Sequence, residues 1–381
     1  MTLIFNTPVT GPATHALVIG VGRYTHLPGG KGGKIFPNHG GLGQLSSPPH
    51  SARLFANWLL SDYCNDTQPL ATVDVLISDS KVKEFTDQTG KIFQIERASF
   101  ANVEKAILDR WVERGNTNPD NLMIFFFCGH GVSRGLKTSL LMEDFGSLEN
   151  NPLREGIDFE AFFGGMDKCK ARNQVYFIDS CRAASANLIL EYNDYTGEPI
   201  LPMAPGYSGP RSCARYYAAV PGQKAYGRDS QPSVFTEALL KAMQGAGCSG
   251  YTSRWKVNTD TLGQGLRVLI RRSQQELQTQ AQISDYIDAS FPLHLLKTEP
   301  IIPITLGCMP TEANLVAEMG YVYKDGQRQT RPVPDASDWD LMIPPGDYNF
   351  FAEFNAGIYK NNNIHVYVNP PGQPLPLEVK P

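Results

Sequence analysis

The chain has 381 residues, 41% of them hydrophobic and 19% charged, with 34 Lys and Arg against 38 Asp and Glu and a formal net charge of −4. This is an ordinary globular balance, long enough for two or three domains. It excludes the basic footprint of a nucleic-acid binder and the basic amphipathic helix of a membrane-surface protein. No apolar run approaches the ~20 residues that span a bilayer, and no basic segment leading into an apolar one opens the chain, so no secretory signal is expected. The 7 cysteines include no C-x-x-C pair. A zinc site and a disulfide framework are therefore not expected, and the setting predicted is the reducing cytoplasm.

His15 to Tyr24 is a short apolar run ending in glycine and reads as a buried strand. A Gly, Pro and Ser-rich loop follows, and then residues 51–63 carry Leu54, Phe55, Trp58 and Leu59 at helical spacing. Thr72 to Ile77 predicts a second strand, and residues 101–114 a second helix with Val103, Ile107 and Trp111 on one face. Leu122 to Cys128 is apolar on both faces, as a central strand of a parallel sheet must be. A short strand at 138–142 and a helix at 159–170 precede a fourth core strand, Val175 to Asp179. Residues 183–210 form a long Gly, Pro and Asn-rich linker. Beyond it the pattern predicts a strand at 214–220, helices at 233–244 and 260–283 with Thr259 as N-cap, and a last sheet strand at 291–296. Strands alternating with helices imply an α/β domain with a mostly parallel sheet. From Pro300 onward the helix signals stop, and five β-like runs separated by turn residues predict a small all-β sandwich over residues 299–381.

Two sites carry chemistry because each lies where a core strand ends, the place where α/β sheets bind ligands. The third strand runs into Gly129-His130-Gly131, and the fourth into Asp179-Ser180-Cys181-Arg182. Adjacent parallel strands would bring His130 and Cys181 together. A thiol needs a base or a nearby imidazolium to react near neutral pH. Gly131 leaves its N–H unobstructed, and with the Cys181 N–H it could hold the oxyanion of a tetrahedral intermediate. A histidine about fifty residues before the cysteine is the spacing found in caspases.

These residues resemble the caspase-like cysteine peptidases, in particular the bacterial members, metacaspases and paracaspases. The resemblance rests on ALVIGVGRY, FFFCGHG, YFIDSCRA and the YYAAVPGQKAY…SVFTEALLKAM block, and it covers roughly residues 14–298. It implies a three-layer caspase-like domain over residues 1–298, divided into a large-subunit-like part (1–182), a linker (183–212) and a small-subunit-like part (213–298), followed by the β-sandwich. It implies Cys181 as nucleophile, His130 as its acid/base partner and Gly131 in the oxyanion hole. Asp179, two residues before the cysteine, stands where metacaspases and paracaspases place the aspartate that selects Arg or Lys. A carboxylate at the base of the pocket suits a guanidinium or ammonium. The alternative for Asp179 is a strand-end carboxylate that serves only the backbone. The second acidic residue of those families is missing, since Ser51 occupies its place. No Asp/Glu run has calcium-loop spacing, so no metal or other cofactor is expected.

Other motifs fail. Gly20-Val21-Gly22 leads into a loop rather than a helix, the GGKGGK stretch has Pro28 and Ile35 where a phosphate loop needs Gly and Ser/Thr, and Ser180 lacks a G-x-S-x-G frame. The function expected is a cytoplasmic cysteine endopeptidase cutting protein substrates after a basic residue, in regulated or antiviral-defence proteolysis triggered by an activating protein partner, with neither nucleic acid nor membrane as partner. Arg211, in the linker context Ser208 to Ser212, is the candidate self-cleavage site. The alternative is an inactive caspase-like scaffold whose β-sandwich mediates binding.

Overall fold

The computed structural model describes residues 2–134, 137–182, 196–201, 211–250, 254–277, 280–355 and 357–381. The linker expected at 183–212 therefore lies outside the described residues except for 196–201 and 211–212. The chain forms two compact units, residues 1–240 with 270–295 and residues 241–269 with 296–381.

The first unit is built on a seven-stranded sheet. Its strands are β1 (Leu3–Asn6), β2 (Thr14–Val21), β3 (Leu70–Ser78), β4 (Leu122–Cys128), β5 (Asn173–Asp179), β6 (Ser212–Tyr217) and β7 (Ser284–Ile287), in spatial order β1-β3-β2-β4-β5-β6-β7. The five inner strands run parallel, and β1 and β7 close the two edges antiparallel. Every residue of β2 and β4 is buried, the signature of strands covered on both faces.

Side-chain alternation along β4 explains the layers. Phe126 stacks on Phe55 of α1 (Ser47–Ser61) at 4.4 Å, while its neighbour Phe125 points the other way, to Trp111 and to Phe162 of α3 (Phe159–Gly165). Trp111 belongs to a π-helical turn that continues α2 (Phe100–Ala106), and its indole N–H donates to His15 O. Helices therefore cover both faces, giving the three-layer α/β arrangement. The starts of these helices follow capping rules. Pro48 and Pro49 open α1, Ser99 accepts from Asn102 N–H ahead of α2, and Asp158 accepts from Ala161 N–H ahead of α3.

Two sequence expectations change. The helix predicted over 260–283 is α5 (Thr259–Leu277) and stops earlier. The last strand of the main sheet is β7, not residues 291–296, where the strand Pro292–Leu295 lies outside the seven-stranded sheet. The four residues of β7, Ser-Asp-Tyr-Ile, form no apolar run, because an edge strand need not be buried on both faces.

The second unit contains the β-sandwich. One sheet holds Trp339–Ile343, Ile302–Met309 and Gln373–Glu378; the other holds Arg328–Thr330, Glu318–Tyr323, Gly346–Glu353 and Asn362–Val368. Between them lies an apolar core including Ile304, Leu306, Met319, Phe350, Leu375 and Leu377. Arg328–Thr330 and Gln373–Glu378 were not legible as strands. The first is exposed throughout, and the second carries Pro374 and Pro376, which cannot donate to a ladder. Residues 241–269 join this unit, and Gly245 shows how closely: a Cβ there would lie 2.0 Å from Ile301 O.

Candidate active site

The register of β4 against β5 sets the geometry. Cys128 lies opposite Asp179, and Gly129 N–H donates to Asp179 O at 3.2 Å. His130 and Cys181 are each two residues further along, so they stand at the same height on chains that were paired about 5 Å apart. The Gly131 contact shows how tightly the segments meet. A Cβ on Gly131 would lie 2.6 Å from Cys181 O and 2.6 Å from Ser180 Oγ, so only glycine fits. The chain order also reverses between β2 and β4, so the switch point where α/β sheets open a crevice flanks the end of β4, which carries His130.

His130 is held from three directions. Its Nε2 is 2.8 Å from Gly43 O. A carbonyl only accepts, so the hydrogen-bond pattern assigns the proton to Nε2 and leaves Nδ1 as the basic nitrogen. Its backbone N–H donates to Tyr24 Oη at 2.7 Å, and the two rings pack at 4.8 Å. Gln44 then clamps Tyr24, accepting from its N–H at 2.8 Å and donating to its carbonyl at 2.9 Å. Burial lowers the His130 pKa to about 4, against the opposing effect of the Gly43 hydrogen bond. The ring is therefore neutral at neutral pH.

The Cys181 thiol is also neutral at rest. Burial raises its pKa and the Asp179 charge raises it further, while a backbone hydrogen bond from Ala225 and nearby Lys224 lower it. Sγ lies 3.9 Å from Ala225 O, and among the described residues no hydrogen bond links Cys181 to His130. The backbone after the cysteine is fixed by a loop beyond β6: Arg182 N–H donates to Gln223 O and Gly222 N–H to Arg182 O, each at 2.9 Å.

Asp179 is buried and its Oδ2 is fully occupied. It accepts from Ser233 Oγ, from Thr236 Oγ1 at 2.7 Å and from Cys128 Sγ at 3.3 Å. Burial pushes its pKa up while these hydrogen bonds pull it down. Ser233 is the N-cap of α4 (Val234–Gln244), accepting from Thr236 N–H, so the carboxylate sits at the favourable end of a helix dipole. Ser51 accepts from Ser233 N–H at 3.0 Å. The preceding segment is latched to the start of α1: Ser46 donates to Asp229 and accepts from Ser230 N–H. Asp179 therefore lies under a roof of hydroxyls.

Arg211 does not join this site. Ser212 pairs with Asn173 at the start of β5, whereas Cys181 follows its end. Seven residues of strand separate those levels by about 20 Å. The Arg211 guanidinium pairs with Asp167, stacks on Phe163 at 4.4 Å and donates to Phe163 O at 3.1 Å. In this arrangement Cys181 cannot reach the Arg211–Ser212 bond of its own chain.

The residues that sequence reasoning missed are Tyr24, Gln44, Gly43, Ser233 and Thr236. Only the last pair left a local signal, a serine three residues before a threonine at a helix start. The others act through contacts made across the fold.

A parallel α/β sheet with a histidine and a cysteine beyond the ends of two adjacent central strands defines the class of caspase-like peptidases. Residues 13–284 match the caspase domain of peptidase family C14, and the chain belongs to that family. It is similar to the uncharacterized protein y4kE of Sinorhizobium fredii, 24% identical over 307 residues, which cover 79% of this chain and 84% of y4kE. Among solved structures it is similar to caspase-1 from Spodoptera frugiperda, with a TM-score of 0.41 at 12% identity, covering 75% of this chain and 96% of that one. The protein GSU0716 from Geobacter sulfurreducens gives a TM-score of 0.41 at 13% identity, covering 72% and 93%. Among the described residues no helix is long and apolar enough to cross a membrane.

Proposed function

We propose that the protein is a cysteine endopeptidase that cuts protein substrates after Arg or Lys. The observation that carries this reading is the β4–β5 register, with Gly131 packed on Cys181, which brings His130 and Cys181 to one edge. In the reaction, the thiol leaves the Ala225 carbonyl and passes its proton to His130 Nδ1, and Sγ attacks the scissile carbonyl. The Gly131 and Cys181 N–H groups hold the oxyanion. Nδ1 returns the proton to the leaving amine; water, deprotonated by the same nitrogen, then hydrolyses the thioester, and the released Cys181 thiolate takes that proton back from Nδ1. Because both partners are neutral at rest, His130 works as a general base rather than as half of a preformed ion pair.

Asp179 is the acidic group for a basic substrate side chain. Its burial supports a gated pocket, in which the Tyr226–Ser233 segment moves before a guanidinium reaches it. That gate suits a cytoplasmic peptidase of regulated or defence-type proteolysis, switched on by a protein partner. Self-cleavage at Arg211 in this scheme occurs between molecules, after the Asp167 contact opens.

The test is incubation with an arginyl chloromethyl ketone followed by intact-mass measurement, together with a cleavage profile on a peptide library. A stoichiometric adduct on Cys181 and a profile dominated by Arg and Lys are expected. A library profile dominated by Asp or apolar residues overturns the basic preference. No adduct and no cleavage, with the protein folded, favours the inactive scaffold.

A further inference from the structure

Ser180 lies between Asp179 and Cys181 and has no part in the chemistry above. Its side chain is 1% exposed, and its hydroxyl is buried without a hydrogen-bond partner among the described residues. A buried hydroxyl left unpaired costs stability, which an alanine at the same place would not. Such a group is uncommon in a native fold and calls for an explanation.

Its surroundings supply one. Along β5, Tyr176 and Ile178 face the core formed with Phe125 and Phe127, and Ser180 continues that face, away from Asp179 and Cys181. There it meets the backbone of Gly131: a Cβ on that glycine would lie 2.6 Å from Ser180 Oγ and 2.9 Å from Ser180 Cβ. At rest the carbonyl of the His130–Gly131 peptide is committed elsewhere: His130 O accepts from Leu141 N–H at 3.0 Å, next to Gly131, which lies opposite Leu140. The unpaired hydroxyl thus lies against the peptide whose N–H the oxyanion hole would use.

We infer that Ser180 is a positioning residue of the active arrangement. Its hydroxyl hydrogen-bonds the His130–Gly131 peptide when that peptide turns its N–H toward the tetrahedral intermediate. The resting state carries the unpaired group, and the active state gains the bond, so the residue biases the oxyanion hole toward its working geometry. This inference rests on the peptidase reading.

Ser180→Ala in the full chain tests it with three readouts. Thermal stability should equal or exceed wild type. The kcat/KM for an arginyl amide substrate should fall about 10-fold to 100-fold, mainly through kcat, the scale of a weakened oxyanion contact. Affinity for an arginyl aldehyde, which forms a tetrahedral hemithioacetal with Cys181, should fall by the same factor. Alkylation of Cys181 by iodoacetamide, which forms no oxyanion, should keep its rate. Wild-type kcat and aldehyde affinity in Ser180→Ala overturn the inference. So does lower stability with equal loss of alkylation, the mark of an ordinary packing residue. A wild-type protein that is alkylated at Cys181 yet neither cleaves nor binds the aldehyde overturns the peptidase reading itself, and this inference with it.

Discussion

The α/β unit and the β-sandwich bury different things. At the ends of β4 and β5 the first unit buries Ser51, His130, Asp179, Ser180, Arg182, Ser233 and Thr236. Over residues 300–381, Asn314 is the single buried polar side chain among the described residues. Asn314 is also fully engaged, accepting from Cys308 N–H and donating to Ala336 O and Asp338 Oδ1. Burying polar groups costs stability unless every one is paired. The sandwich keeps that cost low with an apolar core. The edge that carries His130 and Cys181 accepts an unpaired serine, a carboxylate under hydroxyls and a histidine held neutral. Buried polarity thus separates the strand-end edge of the α/β unit from the apolar core of the sandwich.

The largest effects should come from the site and leave the fold intact. Cys181→Ala should abolish peptidase activity, and His130→Ala should lower kcat by at least about 10⁴-fold, as loss of a nucleophile or its base does. Both should keep the wild-type circular dichroism spectrum, since each side chain lies beyond a strand end. Wild-type turnover in Cys181→Ala would show that the nucleophile lies elsewhere.

Gly131→Ala should come next. Its Cβ would meet Cys181 O and Ser180 Oγ at 2.6 Å, so the His-bearing and Cys-bearing segments must part. A loss of about 100-fold in kcat/KM is expected, with about 1–3 kcal/mol of stability from overpacking. Unchanged kinetics would mean that the close approach of the two segments is not needed.

The comparison reverses in the sandwich. Phe350→Ala, at a fully buried core position, should cost about 3–5 kcal/mol on urea unfolding of that module, while turnover on a small peptide amide stays at the wild-type level. Activity that falls in proportion while the protein remains folded would tie the sandwich to catalysis.

The smallest effect concerns pH. His130 titrates near 6.5 in the unfolded chain, and burial lowers it to about 4 in the fold. Between those values the unfolded chain binds more protons, so the stability linked to the neutral ring is complete above pH 6.5 and is lost as pH falls toward 4. The urea midpoint of His130→Gln should therefore decline less than that of wild type over this window. His15, lowered to about 4 in the same way, keeps its contribution in both proteins. Parallel slopes would place the titration elsewhere.

By itself the sequence determined the alternation of strands and helices, the apolar β4, the change to β structure after residue 299, and the placing of His130 and Cys181 at strand ends. These follow from local periodicity and from turn residues, which act over a few positions. Only the tertiary structure decided how the site is finished. The Tyr24 hydroxyl reaches His130 across 106 positions, Gly43 O reaches its ring across 87, and Thr236 reaches Asp179 across 57. The same holds for what the site excludes: Arg211 is near Cys181 in sequence order but enters the sheet at the opposite end. Such contacts depend on which strand lies beside which and in what register. A hydroxyl or a loop carbonyl leaves no periodic trace in the chain of the partner it will meet.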